Sequence, residues 1–232
     1  ESEFLNRTNI ALELLEHPDI KVDLKDGSGG TALHYASKQG MLSVVKRLIH
    51  LEADVNARDQ ENSTPLMLAC DSYRNSKDIA LELLKHEDID VNLVNTDKRT
   101  ALHFAAEWSK NGQEVIDVMK QLIDKGADIN AVDDAGLTPF LVACDSMHTD
   151  VALWLFNLPE MDLYVKVNDE KTVLDRMIWD CHEGDAIFNR LKSLIVDPNP
   201  VNEYGHTPLI HACANELWDQ ALFLLSFDNI DV

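Results

Sequence analysis

The chain has 232 residues, of which 45% are hydrophobic and 26% are charged, proportions that are ordinary for a folded globular chain. Its 20 basic and 41 acidic side chains give a formal net charge of -21, which disfavours nucleic acid and anionic lipid surfaces and favours basic partners. No apolar run approaches the ~18 residues that span a bilayer, and residues 1–7 lack the pattern of a signal peptide. We therefore expect no direct membrane insertion and a cytoplasmic or nuclear location.

A six-residue phrase that begins with threonine recurs along the chain. Its copies begin at Thr31 (TALHYA), Thr64 (TPLMLA), Thr100 (TALHFA), Thr138 (TPFLVA), Thr172 (TVLDRM) and Thr207 (TPLIHA). The steps between them are 33, 36, 38, 34 and 35 residues. Phrase and step together resemble ankyrin repeats, and the resemblance covers essentially the whole chain. It implies an all-α fold, an ankyrin-repeat solenoid of stacked helix pairs with projecting β-hairpin turns.

Residues 26–58 show how one repeat is built. The segment 26–30 is rich in glycine and predicts a tight turn at the tip of a hairpin. Thr31 is a good N-cap for a first helix that extends to about Gln39. Gly40 suits the left-handed position that often ends a helix, and apolar residues at helical spacing between 44 and 49 predict a second helix.

The same register divides the chain into seven segments. They are a partial N-terminal repeat at 1–25, repeats at 26–58, 59–94, 95–132 and 133–166, a divergent repeat at 167–201 and a truncated C-terminal repeat at 202–232. We expect them to form one continuous solenoid. Because neither terminal segment supplies a complete repeat with a polar outer face, we expect a fragment of a longer chain.

Cysteines and histidines in register with the threonines are assigned structural roles. Cys70, Cys144 and Cys213 each lie six residues after their threonine, on the helix face that should pack, so we expect them to be buried and inert. In ankyrin proteins the histidine three residues after threonine, here His34 and His103, joins neighbouring hairpins by hydrogen bonds.

Other polar features give no convincing site. The glycine-rich stretch at 27–30 lacks the Gly-Lys-Ser/Thr ending of a phosphate loop, and the adjacent Cys181 and His182 lack further zinc ligands in sequence. Acidic pairs such as Asp133 and Asp134 do not follow a calcium-loop pattern and are interpreted as solvated turn acids. We therefore predict no enzyme activity and no catalytic, cofactor-binding or metal-binding residues.

Ankyrin arrays bind partners on a concave side formed by hairpin tips and the exposed side of each first helix, called here the inner groove. Carrying this over by register gives the candidates Glu61, Asp71, Asp97, Glu107, Trp108, Asp134, Asp145, Trp179, Asp180 and Tyr204. Across all tip and helix positions of this register, the acids are Glu61, Asp71, Asp97, Glu107, Asp134, Asp145, Asp169, Asp180 and Glu203, and the bases are Lys38, Arg99 and Lys171. Nine acids against three bases give a net charge of -6 and predict an acidic groove with aromatic anchors.

The leading functional hypothesis is a non-enzymatic module that binds a protein or extended peptide with basic and apolar residues along this groove. A second hypothesis is the substrate-recruiting or regulatory arm of a larger enzyme, such as a ubiquitin ligase subunit, kinase or acyltransferase, and the partner then includes other domains of the same chain. The sequence is also compatible with an acidic inhibitor of a basic transcription factor, a structural spacer or the cytosolic arm of a channel. The resemblance further implies possible hydroxylation of Asn56, Asn92 and Asn130, which follow the pattern L-x5-D-[VI]-N.

Overall fold

A computed structural model of the chain describes residues 2–71, 76–107, 112–167, 172, 173, 176, 199, 201, 205–227 and 230. The chain divides into two compact units, Glu1–Val151 and Ala152–Val232. The described helices are α1 (Ser2–Leu14), α2 (Ala32–Lys38), α3 (Leu42–His50), α4 (Pro65–Cys70), α5 (Ser76–Leu84), α6 (Ala101–Glu107), α7 (Gly112–Asp124), α8 (Pro139–Asp145), α9 (Thr149–Phe156), α10 (Pro208–Ala214) and α11 (Trp218–Leu224).

The recurring threonine fixes where each first helix begins. Thr31, Thr64, Thr138 and Thr207 are in the extended conformation, and the helix starts at the next residue. The hydroxyls of the last three each accept a hydrogen bond of 3.3 Å from the backbone N–H three residues later. This bond satisfies one of the N–H groups that a helix start leaves free. The predicted end of α2 is also found, since Gly40 has a φ of 76°.

The first unit consists of two layers of helices. First helices α2, α4, α6 and α8 contact one another in chain order, and second helices α1, α3, α5 and α7 do the same. The core between layers is apolar, with Leu33, Leu48, Leu83 and Leu102 fully buried. Each helix is too short to bury its apolar side alone, so burial depends on the neighbouring repeats. Because α1 contacts α3 as α3 contacts α5, residues 2–14 pack as the second helix of a repeat.

The tips of the first unit are tight turns joined to one another in a row. Gln60 N–H donates to the Ser28 carbonyl at 2.9 Å, and Thr96 N–H donates to the Glu61 carbonyl at 2.8 Å. Asp134 N–H repeats the contact on the next tip, to the carbonyl of Asp97 at 2.9 Å. Among the described residues the turns carry no β-ladder, and each step of the row contains one backbone hydrogen bond together with side-chain contacts, such as that from Gln60 Nε2 to the Gly27 carbonyl at 2.7 Å.

The second unit contains the helix pair α10 and α11, which contact each other. Leu209, Ala212 and Leu224 are buried between them. An isolated antiparallel bridge joins Lys166 and Thr172. Together with the first unit, this part of the chain confirms the predicted all-α class for the residues described, while the seven predicted repeat boundaries stay a prediction.

One sequence prediction about the cysteines is wrong. Cys70 is buried as predicted, but Cys144 is partly exposed and Cys213 is exposed. Cys70 lies on α4, which is contacted by two other first helices, α2 and α6. Of the described helices, only α11 makes extensive contact with α10, so Cys213 remains open to solvent.

Candidate functional site

Four of the predicted groove acids line one cleft in the first unit. Asp97 and Asp134 come from two successive tips, and Glu107 and Asp145 come from the ends of α6 and α8. The cleft has a volume of about 520 Å³. Tip and helix end therefore converge as the register predicted, because the first helices stack directly behind the turns that precede them.

The cleft contains a cation of its own, the guanidinium of Arg99. Its Nη2 lies 2.8 Å from Glu107 Oε2, and its Nε lies 3.8 Å from Asp133 Oδ2. The guanidinium carbon also lies 4.8 Å from the centre of the Phe104 ring, within the range of a cation–π interaction. Glu107 is thus neutralised within the chain and does not present a free charge.

Asp133 has a structural role that the sequence interpretation missed. It is 6% exposed rather than solvated, and its Oδ1 accepts hydrogen bonds from Ala135 N–H at 2.9 Å and Leu137 N–H at 2.8 Å. Equivalent turn bonds are made by Asp26, Asp59 and Asn95. The signal was available, since an Asp or Asn lies five residues before each of these threonines.

The remaining groove acids differ in how exposed their charge is. Lys98 Nζ lies 2.7 Å from Asp134 Oδ1, so that acid is also paired. Glu61 and Asp97 are exposed and form no ion pair with any residue that the structure describes. Asp71 is partly buried and is the C-cap residue of α4. Since Glu107 and Asp134 are paired internally, fewer acids than the sequence count suggests are available to a partner.

The remaining four predicted groove residues have no described position. Trp108, Trp179, Asp180 and Tyr204 lie outside the described residues. An aromatic that the register did not include, Tyr35 of α2, is 48% exposed and contacts the first tip. Its hydroxyl donates to Asp26 Oδ2, which with bonds from Ser28 lowers the pKa of Asp26 to about 2. This tip therefore stays anionic over the whole neutral and mildly acidic range.

The motif histidines join neighbouring tips by hydrogen bonds, as the resemblance implied. His103 Nδ1 lies 3.1 Å from Thr100 N and 2.9 Å from its Oγ1, and Nε2 lies 3.1 Å from the Leu137 carbonyl oxygen of the next tip. A backbone N–H can only donate, so Nδ1 accepts and Nε2 carries the proton. His34 makes the same contacts to Thr31 and Ser63. Burial lowers the pKa of His103, which favours this neutral form.

The predicted hydroxylation residues connect neighbouring return segments. Asn92 Nδ2 donates to the Gly126 carbonyl at 2.8 Å, and its Oδ1 accepts from Asp128 N–H at 2.9 Å. Asn56 makes the equivalent bonds to Asp88 and Asp90. Asn130 N–H donates to Asp128. Since both amide atoms of Asn56 and Asn92 are engaged, an oxygenase would need to open these segments first, and hydroxylation of the three asparagines stays a prediction.

The described residues bring no three His, Cys, Asp or Glu side chains into a metal-binding group. None of the described helices combines the length and apolar character needed to cross a membrane.

Comparison with known proteins gives the family. A family profile described as ankyrin repeats, three copies, matches residues 3–95 and 81–169. The ankyrin repeat protein OPG189 of variola virus is 25% identical over 233 residues, covering 97% of this chain and 39% of the viral protein. The ankyrin repeat protein FPV022 of fowlpox virus is 30% identical over 190 residues, covering 82% of this chain and 31% of the viral protein.

A third relative is of another kind. The Caenorhabditis elegans homologue of transient receptor potential cation channel subfamily A member 1 is 31% identical over 146 residues, which is 63% of this chain and 11% of that protein. The chain thus spans well under half the length of each of these three relatives. Ankyrin repeats are protein-interaction modules and are in general non-catalytic. With stacked helix pairs, threonine-capped first helices and the matching family profile, this chain belongs to the ankyrin-repeat family.

Proposed function

We propose that this chain binds a protein or extended peptide with basic and apolar residues along the inner groove. The observation that carries the proposal is the pair Glu61 and Asp97, which are exposed on successive tips and have no ion-pair partner among the described residues. The hydrogen bond between Thr96 N–H and the Glu61 carbonyl fixes the spacing of these two tips. A partner therefore meets two carboxylates on a prearranged backbone.

The charge of the whole chain supports a basic partner. A net charge of -21 attracts cationic segments before contact and speeds their association at low ionic strength. Each exposed ion pair adds only about 0.2–1 kcal/mol, so affinity must come from several pairs together with apolar contacts. Binding of this kind weakens as salt screens the charges.

The test compares two doubly neutralised variants. Glu61→Gln with Asp97→Asn removes the two tip carboxylates, while Glu13→Gln with Glu87→Gln removes two exposed acids that lie outside the tips and the first helices. Both variants change the net charge equally. Proteins captured from a cell extract by the wild-type chain should be lost with the groove variant, kept with the control and reduced by about 0.5 M salt. Unchanged capture by the groove variant would refute the proposed groove.

A further inference from the structure

The cleft between the third and fourth tips holds a guanidinium in the arrangement that proteins use to bind arginine. Glu107 contacts one terminal nitrogen of Arg99, Asp133 lies beside Nε, and the Phe104 ring lies under the guanidinium. Carboxylates and an aromatic face together select a planar cation that can form several directed hydrogen bonds. The Arg99 side chain nevertheless remains 19% exposed, at the border of the open cleft.

Only the Arg99 side chain needs to move for the subsite to open. Arg99 N–H donates to Asn95 Oδ1 at 2.8 Å, and the Arg99 carbonyl accepts from Asn95 N–H at 3.1 Å. The next residue, Thr100, is held by His103. The backbone is therefore fixed on both sides, while the guanidinium is attached to it through a flexible aliphatic chain.

From this geometry we propose that Arg99 is an internal competitor that occupies an arginine-binding subsite formed by Glu107 and Phe104. This inference rests on the proposed function, because the ligand is an arginine side chain of the partner that lies in the inner groove. The partner's guanidinium displaces that of Arg99 and takes its place on Glu107 and Phe104. Arg99 then points into the acidic surroundings provided by Asp97 and Asp145.

An arginine partner fits better than a lysine partner for geometric reasons. An ammonium is a strongly hydrated point charge, whereas a guanidinium stacks on a ring and donates in a plane. Displacement of Arg99 exchanges one guanidinium for another, so the carboxylate of Glu107 is never left without a cation. A lysine would replace the contact to Glu107 and lose most of the stacking on Phe104.

The experiment measures the affinity of two labelled peptides, one with arginine alternating with alanine and one with lysine in place of arginine. Arg99→Met removes the competing cation and keeps an aliphatic stem over Phe104. Lys98→Met is the matched control, because it also removes one positive charge and unpairs an acid of the same cleft, Asp134, while Glu107 and Phe104 keep their contacts with Arg99. Arg99→Met combined with Glu107→Gln removes the subsite itself. Thermal unfolding of each variant verifies that it is folded.

We expect Arg99→Met to bind the arginine peptide roughly fivefold more tightly than the wild-type chain does, the value of one partly exposed ion pair. The gain should be smaller for the lysine peptide and absent in Arg99→Met with Glu107→Gln, whereas Lys98→Met should change the affinity of the two peptides alike. A gain in Arg99→Met that is equal for the two peptides, or one that survives Glu107→Gln, would overturn the subsite. Those results would not affect the proposed function, which is tested separately by the loss of partner capture in the variant with Glu61→Gln and Asp97→Asn. The two proposals can therefore fail independently.

Discussion

Replacing His103 by leucine removes a contact between two repeats without changing the apolar volume greatly. The histidine is fully buried and joins Thr100 of its own repeat to Leu137 of the next tip. After substitution the buried Thr100 N–H and the partly buried Leu137 carbonyl both lose their side-chain partner. A buried polar group without a partner costs about 1–3 kcal/mol. We therefore expect His103→Leu to lower the free energy of unfolding by about 2–4 kcal/mol.

The loss of stability caused by His103→Leu should become smaller as the pH falls below 6.5. Burial lowers the pKa of folded His103 below its ordinary value of 6.5, so between these two values the unfolded chain binds more protons. This contribution to stability is present above pH 6.5 and is lost as the pH falls from 6.5 toward the folded pKa, by at most ~1.4 kcal/mol per pH unit. Leucine cannot titrate, so the difference between wild type and variant should shrink over that window.

Denaturant unfolding of both chains at several pH values measures this difference, and taking the difference cancels the other histidines. Repeat arrays can unfold in parts, so hydrogen exchange at α6 and α8 should be followed as well. His34→Leu removes the equivalent contacts to Thr31 and Ser63, two repeats earlier in the chain. The loss of stability in this variant shows what the same hydrogen bonds contribute at a second position. A His103→Leu chain as stable as wild type, or a difference that grows as the pH falls, would refute the reasoning.

Three further predictions concern single residues. Asp133→Asn should lower the free energy of unfolding by less than about 1 kcal/mol, because an amide oxygen still accepts both turn bonds, as that of Asn95 does. Asp133→Ala should lower it by about 2–3 kcal/mol, because both turn bonds are lost. Equal stability of the two variants in denaturant would contradict this role. Asn92→Ala removes two hydrogen bonds between repeats and should lower the free energy of unfolding by about 1–2 kcal/mol. An unchanged thermal midpoint would argue against a stabilising role of these bonds. Burial raises the pKa of Cys70 to about 12, so brief alkylation at about pH 8 should modify Cys213 and spare Cys70; peptide mapping that finds the reverse would disprove it.

Helix starts and most buried positions of the first unit were accessible from sequence because they depend on local chemistry. A threonine or threonine-proline pair satisfies a helix start wherever it occurs, and apolar residues in register with it must face the neighbouring repeat. His34 and His103 followed from the same register. The exposure of Cys144 and Cys213 did not, because burial of these thiols depends on which helices pack against α8 and α10, and a register counted along the chain does not give those contacts.

The sequence predicted which acids lie together on one surface, but only partly predicted how many of their charges are unpaired. Counting from each threonine placed Asp97, Glu107, Asp134 and Asp145 on a common surface, and the structure shows them around one cleft. The count treated every acid as available. It could not show that Arg99 neutralises Glu107, because this pairing depends on side-chain rotamers and on the distance between a tip and the helix end behind it.

By itself, the sequence determined the repeat step, the start of each first helix that the structure describes and most of the positions that these helices bury, because these follow from backbone capping and apolar periodicity within a few residues. Tertiary structure decided which charges meet. Arg99 and Asp133 are far apart along the chain and lie together only because one repeat stacks on the next. Because of that stacking, Asp133 is a buried turn residue and not the solvent-exposed acid that the sequence predicted, and Arg99 lines the cleft.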